Sequence, residues 1–231
     1  MMSPTPSSSA APRGRFVSFE GGEGAGKSTQ IRLLADRLAA AKVRAIVTRE
    51  PGGSPGAEVM RHLVLSGIGK LLGAEMEALL FAAARDDHVH LVIGPALSRG
   101  LWVLCDRFSD STRVYQGQLG KVDPALIDAF DRVTIDALRP DLTLVLDLPA
   151  ETGLQRAAKR RGAAAADRFE AENLDFHRRL RDAYRQLVQD NPDRCVLIDA
   201  DADEKTVAAR VWQVTQQRFA ELAPQPEAVR L

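Results

Sequence analysis

A short glycine-rich segment constrains the fold more than any other feature of this 231-residue chain. Residues 19–29 read FEGGEGAGKST, so that four glycines fall within six positions and are followed by a lysine and two hydroxyl residues. Glycines at this density indicate a backbone that bends sharply or approaches another group closely. The spacing Gly21-x-x-x-x-Gly26-Lys27-Ser28 matches the phosphate-binding loop, in which backbone N–H groups surround phosphate oxygens. The segment therefore predicts a site for a phosphorylated ligand.

The residues on either side of the loop have the patterns that a phosphate-binding loop requires. Arg15 to Glu20 alternate between polar and apolar side chains, which predicts a strand. After the loop, apolar residues recur at helical spacing, namely Ile31, Leu34, Ala35 and Leu38. This order places the positive N-terminal end of a helix at the bound phosphate. The alternative is a tight strand-to-helix turn followed by a solvated lysine.

Composition argues against several classes of protein. Hydrophobic residues make up 45% of the chain and charged residues 27%, which suits one large α/β domain or two small ones. Basic and acidic residues number 31 each, so the chain has no overall positive charge with which to attract nucleic acid. No apolar run approaches the length of a membrane span. The Pro/Ser-rich N-terminus has no signal-peptide core, and we expect a cytoplasmic protein in which Cys105 and Cys195 are buried, reduced thiols.

Strand-like and helix-like segments alternate along the chain. After the first strand, short apolar or β-rich runs occupy residues 43–48, 101–105, 142–148 and 195–198. Helical patterns occupy residues 75–99, 174–187 and 208–222, the first interrupted near Gly94-Pro95, and Asp123-Pro124 opens another helix. Strands separated by helices predict a five-stranded parallel sheet with helices on both faces.

Polar residues follow three of these strands at the edge where ligands bind in parallel α/β folds. The phosphate loop follows the first strand, Arg49 the second, and Asp106 and Arg107 the third. Phosphoryl transfer uses cations that neutralise phosphate oxygens and an acidic group that holds Mg²⁺. The alternatives are that Asp106 is a helix N-cap and that the two arginines are ordinary surface charges.

Six segments in this order make the chain resemble the thymidylate kinase family, whose members convert dTMP and ATP to dTDP and ADP. They are FEGGEGAGKST (19–29), TREPGG (48–53), LLFAAARDDHV (79–89), CDRFSDSTRVYQG (105–117), RPDLTLVLD (139–147) and RRGAAAADRFE (160–170). The resemblance covers most of the chain from Phe16 to about Phe219. It implies an enzyme that supplies dTDP for dTTP and DNA synthesis, with Mg²⁺ bound beside ATP.

The same resemblance implies an α/β P-loop nucleoside monophosphate kinase fold. A single kinase domain at residues 15–222, with a lid at about 159–170, would lie between a disordered tail at 1–14 and a frayed tail at 223–231. The partners would be ATP, dTMP and a second copy of the chain, because the family is usually homodimeric and packs through helices that include residues 75–99. Neither a membrane nor nucleic acid is an expected partner.

The resemblance assigns residues to the ATP site. Lys27 resembles the lysine that bridges the ATP phosphates, and Ser28 resembles the Mg²⁺ ligand. Asp106 is the second metal candidate, because it follows an apolar strand at the position of a Walker-B-like aspartate. We expect the Lys27 ammonium to be solvated when no nucleotide is bound. The residues assigned to ATP binding are Gly21, Gly22, Glu23, Gly24, Ala25, Gly26, Lys27, Ser28 and Thr29.

The resemblance also assigns residues to the phosphate and sugar of dTMP. Arg49 and Arg107 look like the clamp on the 5′-phosphate, and Glu23 like the acidic residue near the 3′-hydroxyl. Tyr115 resembles the aromatic residue that crowds C2′ and so disfavours ribose, although a lone tyrosine is more often part of the core. The peptide bond Glu50–Pro51 is expected to be cis, as it tends to be in the family.

Four residues are assigned to the thymine base. Phe81 resembles the aromatic residue that stacks on the ring, and Arg85, one helical turn later, the donor to O4. Thr112 and Gln116 resemble the residues that read the polar edge of the base. Taken alone, Phe81 would more often be a core residue; its spacing from Arg85 favours the functional interpretation.

The chain departs from some thymidylate kinases in the phosphate loop. Those proteins place an arginine next to the acidic residue of the loop, where this chain has Gly24. The resemblance then implies that the lid supplies the catalytic arginine, from Arg160 or Arg161 first and from Arg168 second. The alternative is that these arginines are a solvated charge run.

Three other functions compete with this interpretation. A P-loop kinase for another nucleoside monophosphate would keep the phosphate chemistry and change the base pocket. A P-loop nucleotide switch is a second possibility, but the chain has no guanine-reading Asn-Lys-x-Asp segment. A single-stranded DNA binder is the third, and the balanced charge argues against it.

Overall fold

The fold is taken from a computed structural model that describes residues 13–67, 71–162 and 168–222. Five parallel strands form one sheet in the order β2-β3-β1-β4-β5. The strands are β1 (Phe16–Gly21), β2 (Ala45–Arg49), β3 (Trp102–Asp106), β4 (Leu142–Asp147) and β5 (Cys195–Asp199). The predicted parallel sheet is confirmed, and each predicted strand lies within a few residues of its observed position.

Helices connect consecutive strands. They are α1 (Lys27–Ala40), α2 (Pro55–Leu65), α3 (Ala74–His88), α4 (Gly94–Ser98), α5 (Ser109–Thr112), α6 (Pro124–Thr134), α7 (Ala150–Arg161), α8 (Leu174–Asp190) and α9 (Glu204–Arg218). Two π-helical segments, Val89–Ile93 and Arg113–Leu119, follow α3 and α5, and a 3₁₀ turn covers Ala220–Leu222. Asp123 caps α6 through the N–H of Ala125, as the Asp-Pro pair predicted.

Apolar residues from alternate positions of the strands pack on both faces of the sheet. On β1, Val17 and Phe19 join the core formed with α1 and α9, whereas Phe16 joins the core formed with residues of α4 and the first π-helical segment. The polar residues of β1 are also buried: Ser18 shares a hydrogen bond of 2.9 Å with the hydroxyl of Thr143, and Glu20 lies beneath the site described below. Cys105 and Cys195 are buried free thiols, as expected.

The long helical pattern at residues 75–99 breaks earlier than expected. We placed the interruption near Gly94-Pro95, but α3 ends at His88 and the π-helical segment begins at Val89. The N–H of Gly94 donates to the carbonyl of Val89, five residues back. Pro95 then lies at the start of α4, where its missing N–H costs no helical hydrogen bond. The chain therefore continues through Gly94-Pro95 as helix.

The N-terminal boundary also differs from the expected one. We assigned residues 1–14 to a tail, yet Gly14 is buried and its N–H donates to the carbonyl of Leu97 at 2.9 Å. The packed chain thus includes Gly14. The rest of that segment up to residue 12, the C-terminal residues 223–231 and lid residues 163–167 lie outside the described residues, so the expectations for them stay predictions.

Candidate active site

The glycine-rich loop joins β1 to α1 and packs directly against α7. Gly24 has a φ of 68°, in the left-handed region that favours glycine. A Cβ atom at this position would lie 2.0 Å from the carbonyl oxygen of Gly153. Both the backbone conformation and the contact with Gly153 therefore oppose a side chain at position 24 of this chain.

Lys27 is held inside the loop. Its Nζ donates to the carbonyl oxygens of Gly21 and Gly22 at 3.2 and 3.1 Å, and only 8% of the residue is exposed. Burial, together with the nearby Arg107 guanidinium, lowers the pKa of Lys27 below its ordinary value. Our expectation of a solvated ammonium is therefore wrong: two carbonyl groups of the loop replace water as its partners and hold it within the loop.

Ser28 and Asp106 come together at the start of α1 and the end of β3. The Ser28 hydroxyl donates to Oδ2 of Asp106 at 2.7 Å. Asp106 is not an N-cap, because α5 begins at Ser109 and Phe108 holds the capping position. A hydroxyl and a carboxylate oxygen are donors that Mg²⁺ prefers, and such sites take their other ligands from water and substrate phosphates. The pair fits the predicted Mg²⁺ site.

Arg107 lies at the centre of the site in a strained backbone conformation. Its φ is 70°, which is uncommon for a residue with a side chain. Its guanidinium donates to Glu23 at 2.8 Å, to the Tyr184 hydroxyl at 2.9 Å and to the Ser111 hydroxyl at 3.2 Å. It also lies over the Tyr115 ring, 5.2 Å from the centroid. Strain of this kind clusters where function depends on the direction of a side chain.

Two carboxylates near Arg107 have pKa values that are shifted in opposite directions. Burial raises the pKa of Glu23, but the positive charges of Arg107 and Lys27 outweigh it and leave that pKa below its ordinary value. Glu20 is fully buried beneath, and burial, together with the charge of Asp110, raises its pKa to about 7. Glu20 accepts hydrogen bonds from the hydroxyls of Ser111 and Tyr184 at 2.6 and 3.0 Å. Because those protons point to Glu20, the hydroxyl oxygens are free to accept from Arg107.

The predicted base-binding residues line one cavity with an empty volume of about 650 Å³. Around it lie Glu23, Phe81, Arg85, Arg107, Thr112, Tyr115 and Gln116, all of which were assigned to dTMP from the sequence. Phe169 also lines it, with its ring centroid 6.4 Å from that of Phe81 and 5.1 Å from that of Tyr115. Tertiary structure thus gathers residues from four separate segments around one space.

Arg85 is fixed by a buried polar network. Its Nε donates to Glu50 at 2.8 Å, and its NH2 group donates to the Thr112 hydroxyl at 3.0 Å. His88 contacts the second oxygen of Glu50 at 3.1 Å and the hydroxyl of Thr48 at 2.6 Å. The network ties the loop after β2 to the base pocket, and the Glu50–Pro51 bond within that loop is cis, as predicted.

A second cavity, with an empty volume of about 930 Å³, contains the phosphate loop. It is lined by Glu23, Gly24, Ala25, Gly26, Lys27, Ser28, Thr29, Arg49, Asp106 and Arg160, among others. Glu23, Glu50, Arg61 and Arg107 line both cavities, so the two spaces meet at these residues. Arg49 faces the loop cavity while its guanidinium donates to Glu58 at 2.8 Å. Two phosphorylated ligands bound in these spaces would therefore meet beside Arg61 and Arg107, the two arginines that line both cavities.

The three lid arginines do not converge on one point. Arg160 and Arg161 pair with the two oxygens of Glu170, at 2.9 and 2.7 Å. Arg160 also lines the phosphate-loop cavity. Arg168 instead pairs with Glu77 of α3, at the far side of the base pocket. Of the three, Arg160 alone lines the phosphate-loop cavity.

Sequence reasoning missed several residues of the site: Glu20, Glu50, Arg61, Glu77, His88, Phe169 and Tyr184. One signal was available for Glu77. It precedes Phe81 by four residues and Arg85 by eight, so that all three lie on one face of α3. Tyr184 and Glu20 had no such signal, because 164 residues separate them in the chain.

Comparison with known proteins agrees with this geometry. The family model for thymidylate kinase matches residues 19–211. This range includes the residues named above for both cavities. The chain belongs to the thymidylate kinase family. A thymidylate kinase of Nitrobacter winogradskyi is 71% identical over 206 residues, which cover 89% of this chain and 90% of that protein. One from Bradyrhizobium diazoefficiens is 68% identical over 217 residues, or 94% of each chain.

A solved structure gives the same relationship. The crystal structure of thymidylate kinase from Ehrlichia chaffeensis matches with a TM-score of 0.71 at 32% identity, covering 89% of this chain and all of that one. The family's α/β fold is therefore shown by shape as well as by sequence. Among the described residues, no helix has both the length and the apolar character that crossing a membrane requires.

Proposed function

We propose that this chain transfers the γ-phosphoryl group of ATP to dTMP and releases dTDP and ADP. The observation that carries the proposal is the junction of the two cavities at Glu23, Glu50, Arg61 and Arg107. A kinase must hold a donor phosphate and an acceptor phosphate next to each other and out of water. One cavity contains the phosphate loop and the other the aromatic and polar groups suited to a nucleobase.

On the donor side, backbone N–H groups of the loop and the Lys27 ammonium bind the ATP phosphates. Lys27 is already held within the loop by two carbonyl groups, so little reorganisation is needed when nucleotide arrives. Ser28 and Asp106 would hold Mg²⁺, which when bound neutralises charge on the phosphate oxygens. Arg160 reaches the same cavity from α7 and supplies the cation that Gly24 cannot carry.

On the acceptor side, Arg107 and Arg49 bind the 5′-phosphate, and Arg61 adds a third cation at the junction. Arg107 is directed by three hydrogen-bond partners and does not depend on solvent for its orientation. Glu23, held ionised by the neighbouring cations, can accept from the 3′-hydroxyl. Tyr115 donates to Glu23 at 3.4 Å and so lies where it can crowd C2′ of the sugar.

The base pocket favours thymine over other bases. Phe81 offers an aromatic face, and the fixed guanidinium of Arg85 can donate to O4. Thr112 and Gln116 complete the polar edge. A kinase for a different nucleoside monophosphate would need other groups at these positions. We also propose that the enzyme is a homodimer, since Met76 and Leu79 of α3 are exposed apolar side chains.

The proposal is tested by measuring ADP release from ATP·Mg²⁺ with dTMP, dUMP, the ribose analogue of dTMP, dCMP, AMP or no acceptor. We expect dTMP to give the highest kcat/KM. Lys27→Ala should lose most of the turnover and still unfold in one cooperative thermal transition, and Asp106→Asn should need more Mg²⁺. The proposal is wrong if ADP release does not depend on dTMP, or if both variants keep wild-type turnover.

A further inference from the structure

Glu77 is a buried carboxylate at the edge of the base pocket. Only 3% of the residue is exposed, and it lies on the same face of α3 as Phe81 and Arg85. A carboxylate buried this deeply is costly unless both oxygens have partners. Oε1 of Glu77 accepts a hydrogen bond and Oε2 forms an ion pair, and the two partners belong to different parts of the active site.

The first oxygen of Glu77 orients Gln116. Nε2 of Gln116 donates to Oε1 of Glu77 at 2.7 Å. A carboxylate can only accept, so it binds the amide through its nitrogen and determines which way the amide group faces. Among the described residues, none donates to the other end of the amide, the Gln116 oxygen. Gln116 lines the base cavity, where an oxygen can accept the N3–H of thymine but would oppose the N3 lone pair of cytosine.

The second oxygen of Glu77 binds the C-terminal part of the lid. Oε2 pairs with the guanidinium of Arg168, whose neighbour Phe169 closes the base cavity against Phe81 and Tyr115. Glu170, next in the chain, pairs with Arg160 and Arg161 of α7. The residues from 168 to 170 therefore connect the base pocket at one end with the ATP-side arginines at the other.

We propose that Glu77 is a positioning residue that couples recognition of the acceptor base to the lid segment. Through Gln116 it selects a base with a donor at N3, and through Arg168 it stabilises the segment that carries Phe169 and Glu170. This inference rests on the proposed function. It assigns to Arg168 a role in coupling the two substrates and not in stabilising the transferred phosphoryl group.

The coupling is measured as the change in the dissociation constant of a non-hydrolysable ATP analogue when dTMP is added at saturation. Two linked sites change each other's affinity by the same factor, typically about 5- to 150-fold. We expect a factor in this range for the wild type. Arg168→Met and Glu77→Gln both break the ion pair and should reduce the factor to about 1.

Comparison of two Glu77 variants separates its two contacts. Glu77→Gln retains an oxygen that can accept from Gln116, so the ratio of kcat/KM for dTMP over dCMP should stay within about threefold of the wild type. Glu77→Leu removes both contacts and should lower that ratio by tenfold or more, in addition to abolishing the coupling. A merely structural residue would lower stability without separating these two readouts.

Arg210→Met is the matched control, because Arg210 forms an exposed ion pair with Asp199 at the far edge of the sheet. It should leave both the coupling factor and the base ratio unchanged. A wild-type coupling factor of 1, or an unchanged factor in Arg168→Met, would overturn the inference while leaving dTMP turnover intact. A wild type that does not phosphorylate dTMP at all would overturn the proposed function and this inference together. Glu77→Leu is compared only after its thermal transition has been measured, and Arg168→Met provides the test if that variant does not fold.

Discussion

Arg107 adopts a left-handed backbone conformation although it carries a long side chain. The conformation costs about 1–3 kcal/mol, and the contacts of the guanidinium with Glu23, Ser111 and Tyr184 maintain it. Beneath them, the Glu20 carboxylate accepts the protons of both hydroxyls. The direction in which the Arg107 side chain points therefore depends on Glu20, a buried acid that lines neither cavity.

Glu20 should make stability depend on pH. Its pKa is raised from 4.5 to about 7, mainly by burial, so the folded protein binds more protons than the unfolded chain between these values. The contribution of Glu20 to stability is therefore fully present below pH 4.5 and is lost as the pH rises through about 7. Glu20→Gln cannot ionise, and its free energy of unfolding relative to the wild type should rise across this window by up to about 3 kcal/mol.

Chemical denaturation of both proteins at several pH values from 4.5 to 8 measures this difference. Glu75→Gln, on the exposed surface of α3, controls for the loss of a carboxylate. A difference between Glu20→Gln and the wild type that does not change with pH would contradict the prediction.

Gly24→Ala should destabilise the protein. The φ of 68° and the 2.0 Å approach to the Gly153 carbonyl both oppose a Cβ atom, and we expect a loss of about 2–4 kcal/mol. Gly22→Ala is the matched substitution in the same loop, because a Cβ there meets no atom within 4 Å. The measurement is the free energy of unfolding of each variant. Equal losses at the two positions would show that the contact with α7 is unimportant.

Among the secondary-structure elements, two π-helical segments lie next to the active site. One contains Tyr115 and Gln116, and the other follows Arg85 and His88 of α3. A π-helical turn adds a residue to a helix and so changes the direction of the side chains that follow. In the segment Arg113–Leu119 this change of direction places Tyr115 beside Arg107 and Gln116 beside Glu77. Regular helical spacing alone would not have located these pairs.

We expect the lid arginines to have two different roles. Arg160, near the end of α7, lines the phosphate-loop cavity, and Arg160→Met should lower kcat by a factor on the order of 10³–10⁵ while changing the KM for dTMP little. Arg156→Met is the control, since Arg156 lies one turn earlier on the same helix and lines neither cavity. Steady-state kinetics with both substrates varied give the two constants. If Arg160→Met keeps wild-type kcat, the cation is supplied by another residue.

At the scale of the whole molecule, the parallel sheet brings the ends of β1, β2 and β3 to one edge. Asp106 at the end of β3 thereby meets Ser28 of α1, although 78 residues separate them in sequence. Helices α2 and α3 cover the base pocket on one side and expose Val59, Met76 and Leu79 on their outer surface. Exposed apolar side chains on neighbouring helices are typical of an interface.

We predict that the protein forms a homodimer through this surface. Light scattering should give twice the 25.1 kDa mass of one chain, and Met76→Lys combined with Leu79→Lys should shift the protein to the monomer. Leu197→Lys, on exposed edge strand β5, should remain dimeric. A wild-type protein that is monomeric at micromolar concentration would refute the prediction.

Features that depend on neighbouring residues could be predicted from the amino-acid sequence. The phosphate loop, its flanking strand and helix, the alternation of strands with helices, and the segments that resemble thymidylate kinases all rest on local spacing. Residue types such as Phe81 and Arg85 could be assigned to base binding because they lie one turn apart on a helix. These predictions required no knowledge of which distant segments meet.

Which distant groups become partners depends on the tertiary fold and could not be predicted from local spacing. The closeness of Gly24 to Gly153 and the pairing of Arg168 with Glu77 both depend on contacts between segments far apart in the chain. The two partners of Glu77 likewise come from distant parts of the chain, Gln116 from the π-helical segment Arg113–Leu119 and Arg168 from the lid. Local pattern cannot reveal such pairs, because the free energy that selects them comes from packing and desolvation in the assembled fold.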